Sequence, residues 1–485
     1  MRIFRPIGRW LYDRLQLSAV VDLLTKHKVP PGAESGRSAW MYVFGFSVLV
    51  SFLVQIATGA ALLSKYIPSP QSAHESLEYL TGTSLGAFVR AAHYYGASAM
   101  ILLAFLHMGR VFLTGSYKFP REMSWMSGVV LLVVVMAMAF TGQLLRWDEN
   151  GIWTVVVASK FVGRTPLIGR ELSELVLAGQ TIGGTTLSRF FSLHVFIFPA
   201  LILAGVGLHL FLVYRNGVSE PPEAGRPVDP RTYRAWYAEL TEKHGRPYFP
   251  WGLWREFVFA AGVVGLIVVL ALVVGPKGPG APPDPTELAT DPRPDWYLRW
   301  YYALIFIKPR GLEEVVMVYA PILVLLAMIG LPLVASRGER SPARRPWAVL
   351  LVGSVVIGFV SLLVLGYRAP WVPRVDTQPL PPSLVGATEG PVHLGAALFH
   401  AKGCQYCHQV LGRGGIYGPD LTNLAKRISP EEITVRTLIG VRDMPAYRDK
   451  LTAEEMSDIV AFLTAIDSRR AAGAEGRLEL QESSR

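Results

Sequence analysis

Cysteine is scarce in this chain: only two of the 485 residues are cysteines, and both lie in one short motif. A framework of disulfide bonds is therefore excluded. Charged residues are also few, at 17% of the chain. The formal net charge of +10 comes from basic residues that gather in segments between apolar runs. We interpret this charge as a signal of membrane topology and expect no binding of nucleic acid.

Apolar residues are abundant by contrast, because they make up 51% of the chain and the mean hydropathy is +0.33. Runs long enough to cross a bilayer recur, which predicts an integral membrane protein with an all-α fold. The predicted spans are residues 40–63, 88–112, 125–145, 189–214, 254–274, 315–335 and 347–366. Residues 10–24 are amphipathic, which favours a helix along the membrane surface.

The distribution of Lys and Arg predicts the orientation of the spans. With the N-terminus inside, the four inner segments hold 19 basic residues in 100 positions, and the three outer loops hold 11 in 108. We therefore expect a multi-pass protein of the bacterial cytoplasmic membrane with a cytoplasmic N-terminus. Because the number of spans is odd, the C-terminal part is expected on the outer, periplasmic side.

Four histidines lie in two of the predicted spans. His93 and His107 are 14 residues apart in the second span, and His194 and His209 are 15 apart in the fourth. Both spacings are close to four helical turns, so each pair lies on one face of its helix. A lone histidine in an apolar helix is usually a core residue, but four ionisable rings in two spans indicate function. Side by side, the helices offer two bis-histidine sites, as two haem b groups require.

The direction of the chain predicts which histidines bind the same iron. The second and fourth spans both run from the outside to the inside. His93 and His194 are therefore expected to hold an outer haem b, and His107 and His209 an inner haem b.

Glycines in two other spans repeat the same spacing. Gly45 and Gly59 are 14 residues apart in the first span, and so are Gly128 and Gly142 in the third. A missing side chain lets a helix backbone approach a large flat ligand, although small residues also serve plain helix packing in membranes. By their depth, Gly59 and Gly142 are predicted to flank the outer haem, and Gly45 and Gly128 the inner haem.

The two cysteines belong to the sequence Cys404-Gln-Tyr-Cys407-His408, a C-x-x-C-H motif. In this motif two thiols bind a haem c covalently and the adjacent histidine binds the iron. A bare C-x-x-C motif could instead bind zinc or act as a redox dithiol. The trailing histidine and the absence of a second cysteine pair argue against both alternatives. Haem is attached in this way outside the cytoplasm, which agrees with the predicted orientation.

Residues after the motif indicate a small class I c-type cytochrome domain. Residues 418–421 (Gly-Pro-Asp-Leu) and 443–447 (Asp-Met-Pro-Ala-Tyr) follow in the order seen in such domains. Met444 is the expected sixth iron ligand, because a thioether raises the reduction potential and suits an electron acceptor. Met456 and His400 are the alternative ligands.

In combination, these residues resemble a known family. Further segments that carry the resemblance are Gln55-Ile-Ala-Thr-Gly59, Leu106-His-Met-Gly-Arg-Val111, Phe119-Pro-Arg-Glu-Met-Ser-Trp125, Arg146-Trp-Asp148, Arg189-Phe-Phe-Ser-Leu-His194 and Pro294-Asp-Trp-Tyr297. Over residues 15–366 the chain is similar to cytochrome b of the quinol-oxidising cytochrome bc and b6f complexes. It resembles the four-span b6 subunit and the three-span subunit IV, joined in one chain. A C-terminal c-type domain in place of a separate cytochrome c1 or f departs from that architecture.

The resemblance and the composition together predict six segments. They are a cytoplasmic N-terminal segment with an amphipathic helix (1–39), a four-span di-haem core (40–220), a three-span region with the quinol-site loop (221–366), a Pro-rich linker (367–385), a monohaem cytochrome c domain (386–470) and a disordered tail (471–485). The expected fold is thus a membrane helix bundle followed by a small all-α domain.

The resemblance also implies a quinol-oxidation site at Pro294, Asp295, Trp296 and Tyr297, which are similar to the family's Pro-Glu-Trp-Tyr motif. There Asp295 would accept a proton from quinol. Aspartate is one methylene shorter than the family's glutamate, so this contact could run through a water molecule. The alternative is that Asp295 only caps or solvates a loop helix. Residues 147–151 are expected to line the same cavity.

Other residues concern the surroundings of the haems. Arg90 and Arg110 lie one turn from ligand histidines and could pair with haem propionates, or could be interfacial anchors. The b6 proteins carry a first-span cysteine that holds an extra inner haem. Val43 stands at that position, so no covalent extra haem is expected. Tyr94 replaces a family arginine, which removes one propionate contact from the expected set.

The resemblance implies a respiratory-type membrane haem subunit of a quinol:cytochrome c (or cupredoxin) oxidoreductase, which works by a Q cycle and contributes to proton translocation. Expected partners are quinone, a Rieske iron–sulfur protein, whose cysteines this chain lacks, and a soluble or membrane-bound cytochrome c or cupredoxin. The family forms homodimers within a larger complex. The alternative function is a two-haem electron conduit between the quinone pool and a partner redox enzyme, without bifurcation of electrons.

Overall fold

The computed structural model describes residues 27–466, apart from 34–35, 37, 180–181, 284–292, 310, 313, 369–377, 415–417, 441–443 and 445, together with residues 10, 12 and 14. Within this part of the chain, seven helices are long and apolar enough to cross a membrane. They are Val43–Leu63, Ser84–Leu113, Glu122–Leu144, Gly184–Asn216, Leu253–Val273, Val315–Ala335 and Pro346–Arg368, which we number spans 1 to 7. The predicted all-α membrane fold is confirmed, and each predicted span overlaps one of these helices. Most of the predicted surface helix, half of the predicted linker and the predicted tail lie outside the described residues.

Spans 2 and 4 begin earlier than their apolar runs predict. Span 2 starts at Ser84, where the Thr83 hydroxyl accepts a hydrogen bond from the Gly86 amide (3.1 Å) and caps the helix. Span 4 starts at Gly184, and the Thr186 hydroxyl accepts a hydrogen bond from the Gly183 amide (3.0 Å). Polar first turns of this kind precede the apolar run, so hydropathy does not include them.

The first four spans form the core of the bundle. Span 1 packs along span 2, and span 3 packs along span 4. Their close approach depends on small residues: a Cβ at Gly96 would clash with the Gln55 amide, and one at Gly205 would lie 2.8 Å from Leu131. Span 5 packs against spans 1 and 2, and span 6 packs against span 3. The core therefore has the four-helix form in which facing side chains can build an internal cofactor site.

Shorter elements connect the spans. We call the end at which span 1 begins the inner end, and the opposite end the outer end, after the predicted orientation. The outer end carries helices Ala73–Thr81, Glu149–Gly163, Gly169–Leu177 and Trp296–Ile307, and span 7 packs along the last of these. The inner end carries helices Tyr233–His244 and Tyr248–Trp251, the 3-10 turns Ser38–Met41 and Pro342–Arg344, and an antiparallel pairing of strand Lys28–Val29 with strand Arg246–Pro247.

Buried arginines hold the inner end together. Arg340 is 3% exposed, forms an ion pair with Glu220 and donates to the Thr114 carbonyl (3.3 Å). Arg345 donates to the Phe112 carbonyl (3.2 Å). Cations are favourable at the end of a helix because the last carbonyls lack helical partners. These contacts tie the loop before span 7 to the ends of spans 2 and 4.

The C-terminal residues form a small helical domain with a hydrophobic core of its own. Its elements are helices Pro382–Val385, Pro391–Ala401, Cys404–Cys407, Pro430–Ile439 and Ala453–Ala465, the 3-10 turn Leu424–Lys426, and the antiparallel strands Gln409–Val410 and Arg413–Gly414. The second and the last of these helices meet at Gly395, where a Cβ would clash with the Asp458 carbonyl oxygen. Phe399 and Phe462 pack across the same contact, with ring centroids 5.5 Å apart.

Candidate functional site

Histidine rings of spans 2 and 4 face each other at two levels of the bundle. The ring centroids of His93 and His194 are 6.3 Å apart, and those of His107 and His209 are 6.4 Å apart. A ring nitrogen lies about 1 Å from its centroid and metal–imidazole bonds are about 2 Å long, so two ligands on opposite sides of one iron have centroids about 6 Å apart. The residues therefore fit two bis-histidine haems. The structure brings together the two pairs that the sequence predicted.

Hydroxyl groups hold one ring at each level. Thr58 Oγ1 lies 2.9 Å from Nδ1 of His93, and Ser127 Oγ lies 2.9 Å from Nδ1 of His209. Each hydroxyl donates its single hydrogen to a backbone carbonyl of its own helix, so its oxygen accepts from the imidazole. The ring proton is therefore on Nδ1, and Nε2 is left as the nitrogen that could bind iron.

The other two rings are held differently. Nδ1 of His194 donates to the Met138 carbonyl (2.9 Å), and the Thr141 hydroxyl lies 3.4 Å from the same nitrogen. Among the described residues, His107 has no hydrogen-bond partner. Three of the four rings thus have a fixed tautomer, and the fourth is held by packing alone.

Each of the four predicted glycines lies against one histidine ring. A Cβ added at Gly142 or Gly45 would lie 2.7 or 3.1 Å from Cε1 of the facing ring, and at Gly59 or Gly128 the distance would be 3.3 or 3.4 Å. Gly59 and Gly142 face the outer pair of histidines, and Gly45 and Gly128 face the inner pair. The glycines make room for the histidine rings themselves, which is a closer contact than the predicted approach to the haem plane.

A π-helical turn accounts for the unequal spacing of the histidines in spans 2 and 4. Residues Leu193–Ile197, which include His194, form a π-helix within span 4. Such a turn contains one more residue than an α-helical turn. Pro199 lies just after it and has no amide hydrogen to continue the α-helical pattern. Because the π-helical turn contains one extra residue, the 15-residue spacing from His194 to His209 still places both rings on one face of the helix.

A cavity of about 350 Å³ lies beside the outer histidine pair. Both rings of that pair line it, and so do Asp295 and Tyr297 from the loop region between spans 5 and 6. Gln143, near the end of span 3, and Arg146, just after it, also belong to the polar part of the wall, as do Arg90 and Lys277. The remaining lining is mostly apolar, as in sites that bind small hydrophobic ligands.

The Asp295 carboxylate makes contacts across this cavity wall. Asp295 is the N-cap residue of helix Trp296–Ile307, yet its side chain makes no capping hydrogen bond. It accepts instead from the Gln143 amide (2.8 Å), and its other oxygen lies 3.5 Å from Nζ of Lys277. Arg146 adds an ion pair at 3.7 Å. These contacts differ from those expected of a residue that only caps a helix.

Tyr297 belongs to the same hydrogen-bonded group. The Gln143 amide donates to its hydroxyl (3.0 Å), and the hydroxyl donates to the Ala139 carbonyl (3.3 Å). Burial and the neighbouring Asp295 carboxylate raise the pKa of Tyr297 above its usual range. The phenol therefore stays protonated at neutral pH and presents a neutral hydroxyl group.

Three parts of the predicted quinol site lie beside the cavity and are not among the residues that line it. The Pro294 carbonyl accepts from Arg299 (3.1 and 3.2 Å), and the Trp296 indole donates to a span 2 hydroxyl (3.2 Å). Residues 147–151 leave the cavity wall directly after Arg146, because their backbone begins the next helix. They support the site from outside.

The Asp148 side chain links two loops beside the cavity. Its Oδ1 accepts from the Gly151 amide (2.8 Å), which caps helix Glu149–Gly163, and its Oδ2 accepts from the Gly280 amide (2.9 Å). Arg146 lies 3.4 Å from the same carboxylate. One buried side chain therefore joins the loop after span 3 to the loop after span 5, at the edge of the cavity.

The two arginines predicted to meet haem propionates have different surroundings. Arg90 lines the outer cavity, and its guanidinium donates to the Thr81 hydroxyl and to two carbonyls of the loop after span 5. Arg110 lies at the inner end and stacks on Tyr42, with 3.9 Å between Cζ and the ring centroid. Among the described residues, the buried Nε of Arg110 has no hydrogen-bond partner. Of the two arginines, Arg110 therefore has an N–H group, at Nε, that could donate to an acidic ligand.

The C-x-x-C-H motif forms a second site, in the C-terminal domain. Cys404 and Cys407 are not joined in a disulfide bond, and burial raises the pKa of Cys404 to about 12. His408 donates from Nδ1 to the Pro419 carbonyl (2.9 Å), and its ring packs so closely on Gly418 that a Cβ there would clash. The ring is thus oriented with Nε2 left for a metal. Two thiols outside any disulfide, beside such a histidine, fit a covalent haem c.

The three candidates for the sixth ligand of this site lie in different environments. Met444 is partly buried and packs at the edge of the domain core. Met456 is 3% exposed and belongs to the core itself. The His400 ring packs on Tyr406, with centroids 6.1 Å apart. The assignment of Met444 stays a prediction.

The hydroxyl residues around the histidines carry a signal that sequence reasoning missed. Thr58, Ser127 and Thr141 each stand directly before one of the four glycines. Phe44 holds the corresponding position before Gly45. Each of these hydroxyls contacts the same histidine ring as the glycine that follows it. The hydroxyl–glycine pairs in the sequence could therefore have indicated the hydrogen bonds to the rings.

Three models of known families match the chain. The model of cytochrome b/b6/petB matches residues 33–217, and that of cytochrome b(C-terminal)/b6/petD matches residues 282–377. The model of cytochrome C oxidase, cbb3-type, subunit III matches residues 390–463.

Individual proteins are similar to the same regions. Cytochrome b6 of Rippkaea orientalis is 38% identical over 217 residues, which are 44% of this chain and 96% of that protein. Cytochrome b6 of Crocosphaera subtropica is 39% identical over 216 residues, which are 44% of this chain and 95% of that protein. A solved structure titled "Hyperthermophilic respiratory Complex III" matches with a TM-score of 0.62 and 25% identity, and covers 75% of this chain and 91% of that one.

The fold and the two sites define a multi-pass membrane cytochrome with a c-type cytochrome domain at its C-terminal end. The chain belongs to the cytochrome b/b6 family. Membership of this family implies haem b in the bundle, and the c-type domain implies haem c.

Proposed function

We propose that this protein is the haem subunit of a quinol:cytochrome c (or cupredoxin) oxidoreductase of the bc type. Quinol at the outer cavity loses two electrons and two protons and becomes quinone. One electron goes to a Rieske iron–sulfur protein and on to the c domain of this chain. The other crosses the bundle from the outer to the inner histidine level and reduces quinone near the inner end.

The observation that carries this proposal is the shared cavity at the outer end. Oxidation of a quinol needs an electron acceptor and a proton acceptor within reach of the same molecule. The outer histidine pair and the Asp295 carboxylate line one cavity, although they come from distant parts of the chain. A cavity that only bound haem would need the histidines and would have no use for the carboxylate, so the pair supports quinol chemistry at this site.

The proposed proton acceptor is Asp295. The Gln143 amide donates to both Asp295 and Tyr297, so it fixes the carboxylate and the phenol relative to each other. Lys277 faces the other carboxylate oxygen, and its side chain is 47% exposed, which gives the accepted proton a short way to the outer solvent. Lys277 also donates to the Tyr94 hydroxyl (3.4 Å), so a cation stands beside the position where the family's arginine is absent.

The haem groups, when bound, supply one-electron transfer between ferric and ferrous iron. The four histidines would hold them, with the glycines of spans 1 and 3 against the rings, and Nε2 is the nitrogen available on the three rings whose Nδ1 is hydrogen-bonded. The unpaired donor of Arg110 supports its pairing with a propionate at the inner level. Arg90 is the corresponding candidate at the outer level, where its guanidinium is already bonded to loop carbonyls.

The complex is proposed to lie in a bacterial cytoplasmic membrane, with the N-terminus in the cytoplasm and the c domain outside. The excess of basic residues in the inner segments supports this orientation. The similarity to a structure titled as a respiratory Complex III supports assembly with further subunits. The homodimer and the Rieske partner are part of the proposal, as are the six segment boundaries predicted from the sequence.

Purification of the native complex from membranes tests the proposal. Pyridine haemochrome analysis should give two b haems for each covalent c haem, and a Rieske subunit should co-purify. The complex should also reduce a c-type cytochrome with quinol. Co-purification with a dehydrogenase or reductase in place of a Rieske subunit would establish the conduit function instead, and a different haem ratio would contradict the assigned ligands.

A further inference from the structure

The ligand histidines differ in what accepts their Nδ1 hydrogen. For His93 the acceptor is the Thr58 hydroxyl, and for His209 it is the Ser127 hydroxyl, both at 2.9 Å. Each hydroxyl has its own hydrogen engaged by a carbonyl three or four residues earlier. The direction of each bond is therefore set by the helix, and the oxygen presents its lone pairs to the ring.

We propose that Thr58 and Ser127 are positioning residues that tune the reduction potentials of the outer and the inner haem b, respectively. A hydrogen bond from Nδ1 makes an imidazole a more basic ligand. A more basic ligand stabilises ferric iron more than ferrous iron, so it lowers the reduction potential. This inference rests on the proposed function, because it requires that these histidines bind haem.

The two levels of the bundle are not equivalent in this respect. Both rings of the outer pair have an acceptor at Nδ1. At the inner level only His209 has one, because Phe44 stands where a hydroxyl would reach His107, and the described residues offer that ring no other partner. The hydrogen bonds therefore stabilise ferric iron more at the outer level, which favours movement of an electron from the outer haem to the inner one.

Redox titration of the b haems in the purified complex tests the proposal. Thr58→Val should move the outer haem to a more positive potential and leave the inner haem unchanged. Ser127→Ala should move only the inner haem, and by less, because the Ser124 carbonyl also faces the His209 ring. A tenfold change in the ratio of ferric to ferrous binding constants corresponds to about 59 mV for one electron, which such a titration resolves.

Two variants serve as matched controls. Ser51 lies in span 1 like Thr58 and donates to the carbonyl four residues earlier (2.8 Å), but its hydroxyl makes no hydrogen bond to a histidine ring among the described residues, so Ser51→Ala should titrate as the wild type. Thr58→Ser keeps the hydroxyl and should also retain the wild-type potential. Electron paramagnetic resonance of the oxidised haems should change in Thr58→Val and not in the controls.

The outcomes separate this inference from the proposed function. Unchanged potentials in Thr58→Val and Ser127→Ala at full haem content would overturn the inference, and so would an equal shift in Ser51→Ala. If Thr58→Val does not retain its haem, the Ser127→Ala titration decides in the same way. A wild-type protein without b haem would instead refute the proposed function.

Discussion

Replacement of Gly142 by alanine should weaken the binding of haem b at the outer site while the protein still folds. The new Cβ would lie 2.7 Å from Cε1 of His194 and 3.2 and 3.3 Å from its two ring nitrogens. Favourable contacts between carbon atoms are about 3.5–4.0 Å. The ring would have to move by several tenths of an ångström, and its hydrogen bond to the Met138 carbonyl (2.9 Å) opposes that movement.

The size of the effect follows from the cost of overpacking. Extra atoms in a filled site cost about 1–3 kcal/mol, and about 1.4 kcal/mol is a tenfold change in binding. The outer haem should therefore bind about 5- to 150-fold more weakly in Gly142→Ala. Helix propensity acts in the opposite direction, since alanine is favoured over glycine by about 1 kcal/mol in helices. Span 3 should thus remain helical.

The other ring-facing glycines provide a graded series for the same assay. Their Cβ distances of 3.1 Å at Gly45, 3.3 Å at Gly59 and 3.4 Å at Gly128 predict successively milder effects of alanine. Gly109→Ala is the matched control, because span 2 has open space there and nothing lies within 4 Å of the added Cβ. Reduced-minus-oxidised spectra, with the two b haems separated by redox titration, give the occupancy of each level. Full outer occupancy in Gly142→Ala, or an equal loss in Gly109→Ala, would refute the reasoning.

Three further substitutions give distinct results. His209→Ala should remove the inner haem and leave the outer one, which still has both ligands; loss of the outer signal alone would contradict the pairing. Asp295→Asn should slow quinol oxidation by about 10²-fold or more at unchanged haem spectra, since an amide cannot accept the proton; wild-type turnover would exclude the proton role. Gly395→Ala should destabilise the c domain by about 3 kcal/mol or more, because its Cβ would clash with the Asp458 carbonyl. A thermal transition of the haem c signal at the wild-type temperature would argue against that contact.

The sequence by itself determined the spans and the two levels of histidines. Hydropathy and helical periodicity are local properties, because 14 residues of α-helix bring a side chain back to nearly the same face. The spacing of His93 and His107, repeated by the glycines of spans 1 and 3, therefore indicated two stacked sites. The C-x-x-C-H motif is equally local, since its thiols and its histidine lie within five residues.

Only the tertiary structure decided which residues complete the sites. Gln143 and Asp295 are 152 residues apart in the chain, yet their side chains are hydrogen-bonded at 2.8 Å. The same packing put Arg146 in the cavity wall, moved residues 147–151 outside it, and brought Lys277 to the carboxylate. Hydrogen bonds between distant segments depend on how the spans pack to within a few tenths of an ångström, whereas burial and helix formation depend on local sequence. For that reason the helices that carry the four histidines could be derived from the sequence, and their polar surroundings could not.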